Sequence, residues 1–413
     1  MFHRQSFAIS AIALAISACG QDKPADAPAA TADSAAAASP EDLKIAELAA
    51  RPDSWVLEQV GGKRIVMDGQ TLDLRMQYLF HEGREAAAKE AEEAKAKEAQ
   101  AEAKQPEADP FDDPASAAAI RQGANQQWIS RTRPGPDLAS VSDETVTARD
   151  GKPIPVRIYR PEAVGTLPIL VYYHGGGWLF GNIEAVDRSM RRLADEAGVM
   201  IISTDYRLAP ENPYPASWND AEDAFDWAVA NADRLQGDAS RICVGGDSAG
   251  GNMSVVVTAR TRKAGKPSPA CQLLYYAAVD NRSVADMRVH YVSSRLFWEG
   301  FGLDVPFTDY VHRKVFPGMD LSQPEISPIL AGNFAKMPPT LVAAAGFDPL
   351  RDSDRAYAEA LKKAGVPTVY LEYSALPHGS LQQPAVTKEA DRAAGETARE
   401  FGKLVKGLRP QGR

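Results

Sequence analysis

Cysteine is scarce in this sequence, since Cys19, Cys243 and Cys271 are the only three among 413 residues. They form no Cys-X-X-Cys pair and do not lie at zinc-ligand spacing from a histidine, so the pattern excludes the common structural metal motifs and predicts no bound metal. Cys243 and Cys271 lie in short apolar runs that are typical of strands. We expect this pair to be buried free thiols rather than a disulfide.

Basic charge is also limited. The chain has 46 lysines and arginines against 55 aspartates and glutamates, which gives a formal net charge of −9 at pH 7. A nucleic-acid-binding domain would present a basic face, so the composition argues against nucleic acid as a partner. Hydrophobic residues make up 44% of the chain and charged residues 24%, which is ordinary for a globular enzyme with a sizeable core.

The apolar run at the N-terminus, Phe7 to Leu14, is too short to span a membrane as a finished helix. It follows Arg4 and leads into Ile16-Ser-Ala-Cys19, which resembles the signal of bacterial lipoproteins, whose cysteine is acylated and becomes the first residue after cleavage. The resemblance implies a signal peptide at residues 1–18, a lipid anchor at Cys19 and a place in the bacterial cell envelope. Position 20 is not acidic, which favours the outer membrane. A plain secretory signal is the alternative.

Two segments of different composition follow the signal. Residues 19–40 are mostly Ala, Pro, Ser and Asp, and they are predicted to be a disordered tether because they cannot bury a core. Residues 41–140 regain apolar residues at helical spacing. Within them, residues 82–104 are almost only Ala, Glu and Lys, which favours a helix but supplies no apolar face. That segment is predicted to be a solvated helix or a partly disordered insertion.

Strand and helix patterns alternate through residues 141–413. This alternation predicts an α/β fold with a mostly parallel sheet flanked by helices, whose functional groups collect at the carboxyl ends of the strands. The strand candidates are Ile154–Tyr159, Leu167–Tyr173, Val199–Ser203, Ile242–Gly245, Leu273–Ala277, Thr340–Ala345 and Thr368–Tyr373.

A candidate nucleophile lies in the run from Arg241 to Asn252, which reads as a strand, a sharp turn and a helix. The turn carries Gly-X-Ser-X-Gly, the nucleophile-elbow pattern that exposes a serine hydroxyl above a sheet. We therefore predict Ser248 as the nucleophile, with Gly246 and Gly250 required because side chains there would crowd the neighbouring backbone. An ordinary glycine-rich connection is the alternative for this pattern alone.

A second glycine-rich turn, Tyr173-His-Gly-Gly-Gly-Trp178, directly follows a buried strand. Acyl transfer needs backbone N–H groups aimed at the oxygen that becomes negative in the tetrahedral intermediate. We assign this oxyanion hole to Gly176, Gly177 and Ala249, while His174 and Gly175 shape the turn. Taken alone, the glycines would also fit a loop without chemistry or a phosphate-binding turn.

The general base and its acid follow from chain order, which in elbow hydrolases is serine, acid, histidine. His378 follows the last strand in a tight loop, whereas His290 and His312 lie in a stretch rich in aromatic residues. Asp348 follows the Leu341–Ala345 run and is the predicted acid. Asp280, at the end of the preceding strand, is the rival. Two later aspartates, Asp352 and Asp354, fall in the first turn of the next helix.

From about Val146 to the C-terminus, the chain resembles the hormone-sensitive-lipase-like α/β-hydrolases, the bacterial family IV esterases. The resemblance lies in the runs Tyr172-Tyr-His-Gly-Gly-Gly-Trp-Leu-Phe-Gly-Asn182, Asp205-Tyr-Arg-Leu-Ala-Pro-Glu211, Gly246-Asp-Ser-Ala-Gly-Gly-Asn252, Asp348-Pro-Leu350 and His378-Gly379. It implies an α/β-hydrolase core with a helical cap, made of the N-terminal helices and a segment at about residues 280–316. It also implies that Ser248, Asp348 and His378 form the triad, with the same oxyanion hole.

The activity implied is that of a serine carboxylesterase on short- to medium-chain acyl or aryl esters, without a metal or organic cofactor. The expected partners are a small-molecule ester and a membrane, with the protein a monomer or a homodimer. An amidase or formamidase would use the same groups, and a non-catalytic small-molecule binder on this fold is a second alternative. The aromatic residues Phe297, Trp298 and Phe301 would line an apolar substrate pocket or belong to the core of the cap.

Overall fold

The computed structural model describes residues 38–98 and 109–408. The predicted signal peptide, Cys19, nearly all of the tether and the end of the 82–104 segment lie outside the described residues. The domain boundaries therefore stay predictions. Among the helices within the described ranges, none is both long enough and apolar enough to cross a membrane.

The strands form a small hairpin and one large sheet. In chain order they are β1 (Val66–Met67), β2 (Gln70–Thr71), β3 (Ser140–Thr147), β4 (Pro153–Arg160), β5 (Leu167–Tyr173), β6 (Met200–Thr204), β7 (Gly237–Asp247), β8 (Gln272–Tyr275), β9 (Thr340–Phe347) and β10 (Thr368–Pro377). Strands β1 and β2 pair with each other, and the other eight described strands pair in the order β10-β9-β8-β7-β5-β6-β4-β3. Neighbours from β10 to β6 are parallel, whereas β4 runs antiparallel to both β6 and β3.

Helices cover both faces of the sheet. They are α1 (Pro40–Ala50), α2 (Asp53–Gln59), α3 (Leu74–Glu98), α4 (Pro114–Arg131), α5 (Ile183–Ala197), α6 (Ala216–Asn231), α7 (Ala249–Lys263), α8 (Val284–His290), α9 (Val292–Leu296), α10 (Val305–Val315), α11 (Arg351–Lys363) and α12 (Lys388–Lys406). Short 3-10 helices occur at Pro328–Ala331 and Ser380–Gln382. This arrangement confirms the predicted fold class.

Strand β5 shows why the centre of the sheet is so apolar. All seven of its residues are buried because helices pack on both faces. Leu170 and Tyr172 contact the side covered by α5 and α12. Ile169 and Val171 contact the side covered by α6 and α7.

Strand β3 and the β1–β2 hairpin were not among the strands predicted from the sequence. Strand β3 has mostly exposed or half-buried residues, including serine, aspartate and glutamate, because it lies at the edge of the sheet. The β1–β2 hairpin turns at Asp68 and Gly69, which both have positive φ, as a two-residue hairpin turn requires. Asp68 forms an ion pair with Arg351 of α11 (Oδ2–Nη2 2.6 Å), so the hairpin is fixed to the helix that follows β9.

The expectation of free thiols is wrong, because Cys243 and Cys271 form a disulfide. Cys243 lies on β7, and Cys271 directly precedes β8. The register that pairs Val244 with Gln272 brings the two cysteines side by side, with 4.6 Å between their Cα atoms. Sequence spacing does not reveal this neighbour relation, which depends on strand order and register.

The N-terminal helices and the segment after β8 pack into one apolar cluster. Its buried members are Ile45, Leu48, Val56, Val60, Leu72, Leu74, Met76, Phe297, Phe301, Phe347 and Val386. Phe297 and Phe301 therefore belong to this core, since they pack edge to face with each other and both contact the ring of Phe347. Because Phe347 directly precedes Asp348, this cluster also supports the end of β9.

We predict that replacing both bonded cysteines, Cys243→Ala with Cys271→Ala, lowers the free energy of unfolding by roughly 3 to 4 kcal/mol. The bond closes a loop with a sequence separation of 28, and its loss restores that much chain entropy to the unfolded state in the loop-closure model. Urea unfolding of a soluble form that begins at residue 20 measures the change. A reductant should lower the stability of the unmodified protein by a similar amount and leave the double variant unaffected. Two free thiols in the oxidised, denatured protein would contradict the bond.

Candidate active site

Ser248 lies at a sharp turn between β7 and α7. Its backbone has φ 53° and ψ −113°, a conformation that residues other than glycine rarely adopt. A Cβ built on Gly246 or Gly250 would collide with the carbonyl group of Tyr173 at the end of β5. The glycines thus allow the helix to begin directly beside the neighbouring strand, which leaves the serine at the carboxyl edge of the sheet.

The predicted base and acid lie in line with this serine. His378 Nε2 is 3.0 Å from Ser248 Oγ, and His378 Nδ1 is 2.7 Å from Asp348 Oδ2. Asp348 is fully buried directly after β9, and its other oxygen, Oδ1, accepts a hydrogen bond from the Leu350 N–H at 2.8 Å. The structure therefore brings together the ends of β7, β9 and β10 in one hydrogen-bonded chain of the kind that activates a serine.

The rival acid, Asp280, is engaged elsewhere. Its carboxylate pairs with Arg282 (Oδ2–Nη2 2.6 Å) and accepts a hydrogen bond from the Tyr291 hydroxyl at 2.9 Å. Among the residues that the structure describes, neither Asp352 nor Asp354 is bonded to a histidine. Asp352 accepts from the Ser293 N–H at 2.8 Å, and Asp354 is fully buried, where desolvation and the charge of Asp348 raise its pKa well above the ordinary value.

The remaining histidines are not bonded to Ser248 in the described part of the chain. His290 is exposed at the end of α8. His312 of α10 is partly buried, and desolvation lowers its pKa. His81 lies on α3 within 3.6 Å of Glu85.

The glycine turn after β5 faces Ser248. Gly176 and Gly177 have φ of 102° and 60°, and within the described residues their N–H groups donate no hydrogen bond to another protein group. A side chain on Gly176 would collide with the Phe180 carbonyl group, and one on Gly177 would meet the Phe307 ring at 2.8 Å. The turn therefore leaves backbone donors open beside Ser248, as an oxyanion hole requires.

Asp247, which sequence reasoning did not single out, links the two turns. Its buried carboxylate accepts hydrogen bonds from the Tyr172 hydroxyl (2.8 Å), the Gly175 N–H (2.9 Å) and Gln382 Nε2 (3.0 Å). Burial raises the pKa of Asp247, and these donors oppose that effect because they stabilise the charged form. The signal in the sequence is its position directly before Ser248, the predicted nucleophile.

His174 is a structural residue of the glycine turn. It is fully buried, its ring stacks on Tyr206 at a centroid distance of 4.3 Å, and its Nδ1 lies 2.8 Å from the Gly175 carbonyl oxygen. The Tyr206 hydroxyl donates to the His174 carbonyl oxygen at 2.7 Å. Burial lowers the pKa of His174 to about 4, so the imidazole is neutral at pH 7.

Two cavities open beside Ser248. The larger, about 180 Å³, also reaches His378, Gly176 and Gly177, and its apolar wall comes from Met76, Leu79, Phe80, Ile120, Trp128, Phe180, Leu303 and Phe307. The smaller, about 50 Å³, is lined by Trp298, Met287 and His312, among others. Trp298 thus lines a cavity, unlike Phe297 and Phe301.

One group of potential metal ligands occurs within the described ranges. Atoms of His81, Glu82 and Glu85 lie within 4.8 Å of one another on α3. Both glutamates are exposed, and neither cavity beside Ser248 is lined by any of the three residues. This group is therefore separate from the hydrogen-bonded chain of Ser248.

We predict that His174 makes the fold sensitive to mild acid. The unfolded chain, with an ordinary histidine pKa near 6.5, binds a proton that the folded state excludes until about pH 4. Stability is therefore highest above pH 6.5 and falls as the pH drops toward 4, by about 3 kcal/mol from this group. Urea unfolding between pH 7 and 4.5 should show a shallower decline for His174→Gln than for the unmodified protein. His290→Gln, which changes an exposed histidine, should decline as the unmodified protein does. Equal slopes for all three proteins would contradict the assignment.

Comparison with known proteins identifies the family to which this fold belongs. Residues 170–382 match the model of an α/β-hydrolase-fold family. The carboxylic ester hydrolase LipN of Mycobacterium tuberculosis is 39% identical over 270 residues, which cover 63% of this chain and 70% of LipN. Among solved structures, the ester hydrolase EH1AB1 from the metagenome of Lake Arreo is 35% identical with a TM-score of 0.68, covering 80% of this chain and 98% of that one. The esterase of Pyrobaculum calidifontis is 33% identical with a TM-score of 0.65, covering 73% of this chain and 93% of that one. This chain therefore belongs to the α/β-hydrolase family.

Proposed function

We propose that the protein is a serine carboxylesterase that hydrolyses short- to medium-chain acyl or aryl esters through Ser248, His378 and Asp348. The observation that carries this proposal is the hydrogen-bonded chain from Asp348 through His378 to Ser248, at a cavity that the open N–H groups of the glycine turn also reach. Relatives that are named as esterases and carboxylic ester hydrolases support the choice of ester as substrate.

The reaction begins when His378 Nε2 takes the proton of the Ser248 hydroxyl as its Oγ attacks the ester carbonyl carbon. Asp348 accepts the Nδ1–H of His378 and stabilises the imidazolium that forms. The N–H groups of Gly176, Gly177 and Ala249 bind the oxyanion, and a single donor of this kind contributes roughly 3 to 4 kcal/mol to catalysis.

The tetrahedral intermediate then collapses, the bond to the leaving alkoxide breaks and His378 returns the proton to it. Ser248 is left as an acyl ester. Water, deprotonated by His378, attacks this ester, and the second intermediate releases the carboxylic acid and restores the serine hydroxyl. Every group required for both halves belongs to the protein or to water.

The apolar walls of the two cavities favour an acyl or aryl group over a polar one. An amidase would use the same groups and differ in the leaving amine. The names of the relatives favour the ester. The presence of both His378 and Asp348 in bonding position argues for catalysis rather than binding alone.

We predict that Ser248→Ala lowers the hydrolysis of p-nitrophenyl acetate and butyrate by at least about 10³-fold, because the variant lacks the hydroxyl on which the proposed acyl-enzyme forms. Release of p-nitrophenolate by the soluble form measures the rate. Ser254→Ala is the matched control, since this serine is buried on the same helix and donates only to the Gly250 carbonyl oxygen (2.9 Å). Full activity in a folded Ser248→Ala protein would reject the mechanism. Cleavage of anilides in preference to the matching esters would point to the amidase.

A second prediction distinguishes the two candidate acids, Asp348 and Asp280. Asp348→Asn should lower kcat by about 10³- to 10⁴-fold, because the amide cannot hold the imidazole in the required tautomer or stabilise its charge. Asp280→Asn should cost much less, since Asp280 is bonded to Arg282 and Tyr291. The same p-nitrophenyl assay compares them. A larger loss in Asp280→Asn would reverse the assignment of the acid.

We also propose that a lipid on Cys19 anchors the protein in the bacterial cell envelope, with the outer membrane favoured. The sequence from Arg4 to Cys19 supports this proposal. The disulfide between Cys243 and Cys271 supports it as well, since such bonds persist in oxidising compartments outside the cytoplasm.

In bacteria grown with radiolabelled palmitate, we predict that the full-length protein takes up label and sediments with membranes. Cys19→Ser should lose the label and leave the membrane fraction, while esterase activity persists. Label that survives Cys19→Ser, or an unlabelled soluble full-length protein, would refute the anchor.

A further inference from the structure

The larger cavity beside Ser248 has one cationic group in its otherwise mostly apolar wall. This group is Arg131, the last residue of α4. The side chains of Gln127, about one turn earlier on α4, and Gln383, in the loop after His378, line the same cavity. The Ala385 N–H donates to the Arg131 carbonyl oxygen at 2.9 Å, which fixes the end of α4 against this loop.

The Arg131 guanidinium has no partner within residues 38–98 and 109–408. Its Nε is buried without a hydrogen-bond acceptor, and none of the ion pairs among these residues includes it. Glu41 is the acid whose charge acts on it, but Glu41 lies beside Lys44, at 3.6 Å. Burial lowers the pKa of Arg131 to about 10, so it still carries its charge at neutral pH.

A role at the end of the helix does not explain this arginine. Basic residues often bind the last carbonyl groups of a helix, but here Arg188 does so, with Nη1 donating to the carbonyl oxygens of Ile129 (2.7 Å) and Thr132 (2.9 Å). The nearby Arg133 is exposed, donates to the Pro384 carbonyl oxygen at 3.0 Å and lies 3.7 Å from Asp391. Arg131 differs from Arg133 because no carboxylate of the described residues lies within ion-pair distance of its guanidinium, and it differs from Arg188 because it donates to no helix-end carbonyl oxygen.

We propose that Arg131 determines specificity by binding a carboxylate carried by the ester substrate. A partly buried charge without a counter-ion is costly, and a substrate anion would supply the missing partner. One guanidinium balances one negative charge, and its planar fork matches the two oxygens of a carboxylate. The apolar wall then holds the rest of the molecule. This inference rests on the proposed function and narrows the substrate to a monoanionic ester with an apolar body.

Two matched pairs of esters test the proposal on either side of the scissile bond. Mono-p-nitrophenyl glutarate with p-nitrophenyl valerate places the charge on the acyl group, and 4-carboxyphenyl butyrate with 4-carbamoylphenyl butyrate places it on the leaving group. In at least one pair, the ratio of kcat/KM for the anionic over the neutral ester should fall at least 10-fold in Arg131→Gln. Arg131→Lys should keep part of the preference, and Arg133→Gln should keep all of it. Equal ratios in Arg131→Gln and the unmodified protein for both pairs would overturn the proposal.

Binding without turnover separates this inference from the proposed function. In the Ser248→Ala protein, calorimetry should show that, in at least one of the two pairs, the anionic ester binds at least 10-fold more tightly than the neutral one. Adding Arg131→Gln should remove this difference. If the unmodified protein cleaves none of the four esters, the proposed function fails, and this binding difference alone decides the role of Arg131. Equal affinities for both members of each pair would reject it.

Discussion

The close approach of helix α7 to the end of strand β5 is the constraint on which the site depends. Only glycine fits at positions 246 and 250, because the Tyr173 carbonyl group occupies the space that a side chain would need. Between these two glycines, the backbone of Ser248 adopts a strained conformation with φ of 53°. The same strand end begins the glycine turn, so this one close contact keeps Ser248 and the open N–H groups of the turn side by side.

The buried polar network around Asp247 maintains this arrangement. Asp247 connects β5, the glycine turn and the loop after His378 through Tyr172, Gly175 and Gln382. Gln382 also accepts from the Tyr276 hydroxyl, and the Tyr276 ring lies 4.8 Å from that of His378. The position of the imidazole is therefore coupled to the position of the glycine turn. Every described donor and acceptor of this network is buried, which makes its loss costly.

Features that depend on a local residue pattern could be predicted from the sequence. The run Leu167–Tyr173 matches β5 because a strand buried on both faces is uniformly apolar. Strand β3 was not predicted because it lies at the edge of the sheet, where polar residues remain exposed and no apolar run marks the strand. The disulfide, the hydrogen bonds of Asp247 and the place of Arg131 in the cavity wall depend on register and on contacts between distant segments, which a single sequence does not display.

The proposed catalytic residues and the walls of the larger cavity come from different parts of the chain. Ser248, Asp348 and His378 stand at strand ends whose spacing the sheet fixes, whereas the walls come mainly from α3, α4 and the segment around Leu303 and Phe307. Substitutions in those helices can reshape the cavity without moving a strand. The range of molecules that fit beside Ser248 can therefore be altered by substitutions in the N-terminal region while the strand ends keep their positions.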